Sequence, residues 1–397
     1  MIEKYYSGVI EQIYNRIGKE TRNIVMANYS NDFSIENLEV IRRYQSNEDN
    51  VFFAYSEFSY NTLVGAYEPF LDIICNMHRR FIGGSFDDFQ KECGVYYLHR
   101  QVLNSYYETG ECFREETVLL NEVAYEQRRM TMAIADMLKK LSEVKPLMIV
   151  INRFQMASKS SIETIKYLID NPCANIGIVL GVNAIVKGTD STVEVWDRIV
   201  ESLEDRSAIY YIGSAGPLKN NVKTTNDDEL YITMNFEQSI QEASNIMEFL
   251  DFEQARRGCR IIEHKLKFED AWIDEKSLRR FYMVYARTSV LLGEMSKAIE
   301  LTNEYKALIP ENDSEHYLSL YYFMKGTCYM YQGKLEKAGN SAKSAYDYAV
   351  LAEDDTLIFK AELLSVMIKM SGWYNIFFCV QDRSEEHTSE LQSQFRI

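Results

Sequence analysis

The sequence predicts an α/β domain built on a parallel sheet, followed by an all-α region of helical hairpins stacked as a solenoid. Over the first half, five short apolar runs rich in Val, Ile and Tyr alternate with amphipathic segments of helix length, the pattern of a sheet buried on both faces. After about residue 234 the runs stop, and apolar residues recur at three- and four-residue spacing as far as Met370, the period of packed helices. In that second half, small residues also recur forty positions apart.

The strands are expected at Asn23–Ala27, Asn50–Ser56, Pro146–Asn152, Asn175–Val182 and Ala208–Gly213. Each is bounded by Asn, Pro, Gly or Ser, which favour turns. Helices are expected between them at Ile35–Gln45, Tyr67–Phe81, Asn121–Ser142 and Ser160–Asp170. The α/β domain then covers residues 1–219, and the polar stretch Asn220–Asp228 (NNVKTTNDD) marks the boundary. Residues 229–382 form the helical region, with repeats over about 277–372.

In the repeats, Ala286 and Gly326, Gly293 and Gly333, and Ala298 and Ala338 are paired at forty-residue spacing, with Tyr329 in the second copy. Two antiparallel helices approach closely only where small residues face each other, and a glycine turns the chain between them. The segments 282–310 and 321–349 resemble tetratricopeptide (TPR) repeats of the longer kind found in bacterial regulators. A third helix pair is expected to start at Thr356–Met370, with Gly372 as its turn.

Composition bounds the function. A chain of 397 residues, 46% hydrophobic, has room for two or three domains. A net charge of −16 disfavours direct contact with a phosphate backbone. There is no apolar run long enough to span a membrane, and the N-terminus MIEKYYSGVIEQIYNRIGKE carries charges throughout, unlike a signal peptide. A cytoplasmic protein is expected. The seven cysteines stand singly, without CxxC spacing, so buried thiols are expected rather than zinc or disulfides.

A strand followed by a loop and a helix invites a search for the phosphate-binding pattern GxxxxGK[ST], in which amides wrap the phosphates, Lys balances charge and a hydroxyl binds magnesium. Here the loop reads Ala27-Asn28-Tyr29-Ser30-Asn31-Asp32-Phe33-Ser34. The hydroxyl survives as Ser34, but Asn28 stands outside the glycine pattern, Asp32 brings negative charge and Phe33 replaces the ammonium. The third strand should end in acids that hold magnesium and orient water. It ends in Asn152 and Arg153.

The run LMIVINRFQMASKSSIETIKYLI nevertheless resembles the Walker B segment of the STAND class of signalling P-loop ATPases, through its hydrophobic strand, Gln155 and Ala157. Asn152, Arg153 and Ser158 depart from it. Residues 52–74 resemble the family's second strand and the helix after it, and 175–183 its fourth strand. The resemblance covers about residues 20–215. It implies a P-loop-NTPase-like domain coupled to repeats and to an output domain. That output would be a LuxR-type helix-turn-helix or a GGDEF diguanylate cyclase, and no GGDEF motif occurs in these residues. The departures imply a pseudo-ATPase with no catalytic residue and no cofactor. Two alternatives remain open: a nucleotide-binding switch using a non-standard loop with ATP and magnesium, and a structural TPR adaptor. A protein or peptide partner on the repeats is expected, with no nucleic acid or membrane contact.

Other candidates carry less. His78, His99, His264 and His316 lack a metal-spaced partner, and Gly83-Gly84-Ser85 is a turn after a helix. The doublets Arg79-Arg80, Arg128-Arg129 and Arg279-Arg280 suit solvated helix faces or internal ion pairs. The last fifteen residues, RSEEHTSELQSQFRI (383–397), are polar and without helical period, and RSEEHTSELQS resembles the translation of a sequencing-library adapter. They are set apart from the fold as non-native, so the natural protein is expected to continue past Asp382.

Overall fold

In a computed structural model of the chain, the described residues are 2–29, 38–46, 50–58, 63–112, 122–183, 186–187, 193–212, 223–224, 236–268, 273–312 and 314–372. Asp32, Phe33, Ser34, the stretch 225–228 and the tail 383–397 lie outside them. The molecule divides into two units, Met1–Ala271 and Trp272–Ile397.

The first unit begins with α1 (Ile2–Arg16), β1 (Ile24–Tyr29), α2 (Glu39–Ser46) and β2 (Phe52–Glu57). Then come α3 (Phe70–Met77), a π turn at His78–Ile82, α4 (Phe86–Glu92), α5 (Tyr97–Thr109) and α6 (Val123–Val144). The chain continues through β3 (Leu147–Asn152), α7 (Lys159–Asp170), β4 (Ile176–Asn183), the short β5 (Val186–Lys187), α8 (Val193–Glu204), β6 (Ile209–Ile212) and the short β7 (Lys223–Thr224). α9 (Phe236–Glu248) and α10 (Phe252–Phe268) close the unit.

The five long strands form one sheet in the order β2-β3-β4-β1-β6, every pair parallel. β1, β3 and β4 lie inside the sheet, and their apolar runs are buried, apart from a half-buried Ile24 at the start of β1, because helices cover both faces. On one face, Val25, Ala27 and Tyr29 of β1 pack with Tyr6, Ile10 and Ile13 of α1 and with Val40 and Ile41 of α2. The connection from β1 runs past β4 and β3 to β2, whereas that from β4 runs past β1 to β6. The two connections thus leave the β1–β4 seam in opposite directions, which makes the C-terminal end of that seam the topological switch point, where open α/β sheets hold ligands.

The expected strands are found within one or two residues of their limits. The helix expected from Tyr67 starts instead at Phe70, because Tyr67 stands at φ 57°, outside the helical region. The division between units falls at 271/272 rather than near 220–228, so α9 and α10 belong with the sheet. Side chains explain this. Asp251, between the two helices, accepts from the Ser160 amide at the start of α7 (3.0 Å). Asn245 accepts from the Cys112 amide (2.9 Å), and Gln254 donates to the Val64 carbonyl (3.0 Å).

The second unit holds α11 (Glu275–Leu291), α12 (Met295–Ala307), α13 (Ser314–Tyr331), α14 (Leu335–Leu351) and α15 (355–372). α11 packs on α12 and α13 on α14, the most extensive helix contacts of the unit. The two connecting turns are built alike. Gly293 (φ 78°) donates to the Val290 carbonyl (3.0 Å), as Gly333 (φ 72°) does to Met330 (2.9 Å). The next amide repeats the match, Glu294 to Ser289 (2.8 Å) and Lys334 to Tyr329 (2.9 Å). Left-handed φ is cheap only for glycine, which explains a glycine at both turns.

Candidate functional site

Of the residues singled out at the ends of β1 and β3, Asn28, Asn152 and Arg153 are described, and Asp32, Phe33 and Ser34 lie outside the described residues. Tyr29 closes β1, and its hydroxyl donates to Asn152 Oδ1 at the end of β3. Between these strands lies β4, whose register puts Gly181 opposite Ala27. A Cβ on Gly181 would collide with the Tyr6 hydroxyl and stand 2.8 Å from Asn152 Oδ1. A glycine in the middle strand is therefore what lets Tyr6, from α1, reach into the sheet. The Tyr6 and Tyr29 rings meet edge to face, 6.4 Å apart. Tyr6, Tyr29 and Asn152 are all fully buried. Burial first, then Tyr29 and Glu57, push the Tyr6 phenol well above its ordinary pKa, so it stays a neutral hydroxyl.

Arg153 follows at φ 53° and turns its guanidinium back over β2, where it lies 3.0 Å from Glu57 and donates to the Phe58 carbonyl (3.3 Å). Tyr55 donates to the same Glu57 carboxylate. The one acid at the mouth of the third strand's neighbour is thus neutralised inside the protein. Beyond Arg153, Gln155 and Ala157 are buried in and beside a 3-10 turn, and Ser158 caps α7 by accepting from the Ser161 amide (3.4 Å). Tyr67 and Ser161 tie the same helix end to the segment before α3, Tyr67 N to Ser160 Oγ (3.0 Å) and Ser161 Oγ to the Glu68 carbonyl (2.8 Å).

Asn28 points the other way, since alternate residues of β1 face opposite sides of the sheet. It is 1% exposed, and neither its carboxamide oxygen nor its nitrogen has a hydrogen-bond partner among the described residues. An orphaned buried amide costs about 1–3 kcal/mol, so among the described residues Asn28 keeps unspent bonding capacity.

These residues do not fit a magnesium-bound triphosphate. Asn152 accepts from Tyr29, and Arg153, paired with Glu57, carries the wrong charge for a metal ligand. Among the described residues no group of three or more His, Cys, Asp or Glu is placed to hold a metal ion.

A second concave site lies in the same unit. Leu63, Gly65, Glu68, Asp72, Tyr106, Glu242 and Phe249 line a cavity of about 250 Å³. A Cβ on Gly65 would stand 2.9 Å from Glu242 Oε1 and 3.4 Å from Glu68 Oε2, so the two carboxyls converge there. Burial, then Glu68 and Asp72, raise Glu242 to about pKa 7. Spacing gave no sign of this pair, which lies far apart in the chain. A Glu inside the apolar period of α9 was the only available signal.

The histidines and arginine doublets serve internal contacts. His78 Nδ1 meets the Tyr107 hydroxyl (3.1 Å), His99 lies 3.0 Å from Glu126, and His316 lies 3.2 Å from Asp354. Arg79 stacks on Tyr107, Arg129 on Tyr96 beside Glu126, and Arg279 donates to the Leu308 carbonyl (3.0 Å). In the repeats, Ala286, Ala298 and Ala338 are buried. At Gly326 a Cβ would stand 3.3 Å from Ser341 Cβ. Tyr329 packs against the cluster of Met330, Ala338 and Ala342. Compared with known proteins, the chain matches no protein-family model and no curated protein.

Proposed function

We propose that this chain is the sensory and scaffolding part of a bacterial signalling protein, a pseudo-ATPase domain joined to TPR-like repeats that receive a protein or peptide. The observation that carries the reading is how the end of β3 is bonded: Asn152 accepts from Tyr29 and Arg153 pairs with Glu57, where the resemblance would place two free acids. The all-parallel sheet supports the reading: β1, which leads into the loop, and β3, which would carry the acids, lie in it on either side of β4. In that plan the output, a diguanylate cyclase or a helix-turn-helix, belongs to another part of the protein, and this part has no catalytic role of its own.

The nucleotide-switch alternative draws on the unpaired carboxamide of Asn28. Calorimetry with Mg-ATP and Mg-ADP separates the two. The scaffold reading expects no heat at ligand concentrations of about 1 mM, and dissociation constants below about 100 µM would overturn it. If binding is seen and is lost in Asn28→Leu, the orphaned amide is the contact.

A further inference from the structure

The end of the sheet opposite the switch point carries a different concavity. Where β1 and β6 begin, Arg16, Glu20, Arg22, Asn23 and Arg206 line a cavity of about 190 Å³. Arg16 ends α1, Arg22 leads into β1, and Arg206 stands in the turn between α8 and β6. Backbone bonds fix these turns. The Gly18 amide donates to the Ala174 carbonyl (2.8 Å), and the Ala208 amide donates to the Leu203 carbonyl (2.9 Å). All of these stretches are among the described residues.

The charges around it are unbalanced. Three guanidiniums share the wall with one carboxylate, in a chain whose net charge is −16. Arg16 Nε lies 3.6 Å from Glu20 Oε2. Arg206 donates to the Ile169 carbonyl near the end of α7 (2.7 Å), the ordinary use of an arginine at a helix C-terminus. Arg22 is exposed and has neither an ion pair nor a hydrogen bond among the described residues. A guanidinium is a planar fork of several donors, so most of the donors here are unspent. One acceptor is unspent too. Asn23 is 1% exposed, and its amide nitrogen donates to the Glu20 and Ala174 carbonyls. Its Oδ1 has no donor among the described residues.

These groups together select a ligand. Three cations less one anion leave an excess of two positive charges, and forked donors suit a dianion with several oxygens. The buried Asn23 oxygen calls for a hydrogen, since a buried acceptor left unpaired is costly. Sulfate carries no hydrogen, whereas hydrogen phosphate keeps one. A volume of about 190 Å³ holds about six waters, enough for a small oxyanion and too little for a nucleotide. Leu168 and Leu203, both buried, back the cavity. Such an apolar wall limits water and strengthens charge contacts.

We propose that this cavity binds phosphate as its singly protonated dianion, with Arg16, Arg22 and Arg206 holding the oxygens and Asn23 Oδ1 accepting the remaining hydrogen. It lies across the sheet from Asn28 and Asn152, so its occupancy is separable from nucleotide binding at the switch point. Calorimetry of the full chain with inorganic phosphate, at about pH 8 and constant ionic strength, tests it. A dissociation constant of about 0.1–1 mM is expected, with sulfate at least about tenfold weaker. Arg22→Gln should weaken phosphate binding about tenfold. The circular dichroism and melting curve in phosphate-free buffer should stay unchanged, since Arg22 has no partner among the described residues to lose. Glu20→Gln should tighten binding about threefold by removing the anion from the wall. No heat at about 20 mM phosphate, an affinity indifferent to Arg22→Gln, or equal binding of sulfate overturns the proposal. So does binding that survives Arg16→Gln combined with Arg22→Gln and is lost in Asn28→Leu, which would put the phosphate at the switch point.

Discussion

At Gly181 of the sheet unit an added Cβ would collide with a hydroxyl from the N-terminal helix and stand 2.8 Å from an amide on another strand. At Gly339, inside a helix of the repeat unit, it would meet nothing within 4 Å. Of the repeat unit's glycines, Gly293 and Gly333 are held by left-handed backbone and by neighbours three to five residues away, while a Cβ on Gly326 would meet Leu364 and Ser341 of the two helices that follow. The sheet unit is therefore specified by unique partners drawn from distant parts of the chain. The repeat unit is specified by local geometry stated twice. A parallel sheet must cross over between neighbours, so its contacts are remote. A helical hairpin closes within one turn, so its contacts are near.

The contrast can be broken most strongly at Gly181. Gly181→Ala should destabilise the sheet unit by about 3 kcal/mol, because the new Cβ would meet two fully buried side chains, Tyr6 and Asn152. Hydrogen exchange should show the loss in β1, β3 and β4 and leave α11–α14 untouched. Equal loosening of both units would mean that they do not unfold separately.

Tyr29→Phe comes next. It removes the Tyr29 donor from a fully buried carboxamide, at a cost of about 1 kcal/mol. Denaturant melts measure it, and a neutral result would mean that Asn152 finds another donor.

Glu242 gives a pH-dependent test within the sheet unit. Its folded pKa is raised from 4.5 to about 7, by burial first and then by Glu68 and Asp72. The folded state thus binds more protons than the unfolded one between these values, and stability falls as pH rises through that window, then levels off. The burial-raised pKa of Glu68 acts in the same direction. Glu242→Gln should flatten the slope and stabilise the protein by about 1–2 kcal/mol at pH 8. Melting temperatures at pH 5.5 and pH 8 decide it, and an unchanged slope would exclude Glu242 as its source.

The smallest effects sharpen the comparison in the repeats. Gly293→Ala and Gly333→Ala should each cost about 1 kcal/mol, the strain of a left-handed alanine. The two costs should match within a few tenths, since the two turns make the same bonds. Unequal costs would show that the repeats have diverged in energy while keeping their geometry.

Much of the architecture was legible in the sequence. The strand runs were, because a strand buried on both faces has to be a continuous apolar run. The turn glycines were, because the forty-residue spacing repeats a local need. At the candidate site, Asn152 and Arg153 stood out as departures from an acidic pair, but their bonds to Tyr29 and Glu57 did not. Nothing in the spacing of Tyr6, Tyr29 and Gly181 links them, since α1 and β4 meet only after the sheet has formed. The extent of the sheet unit was hidden too. α9 and α10 carry the same helical period as the repeats, and only the bonds of Asp251, Asn245 and Gln254 attach them to the sheet.

By itself, then, the sequence determined the kinds of elements and their order. Those properties depend on side-chain identity and on spacing along the chain. Only the tertiary structure decided that Tyr6 and Asn152 meet at Gly181, that two helices join the sheet, and that the Glu68 and Glu242 carboxyls converge at Gly65. Each of those depends on which remote surfaces meet, and a chain encodes such meetings through the packing of the whole fold rather than through any local pattern.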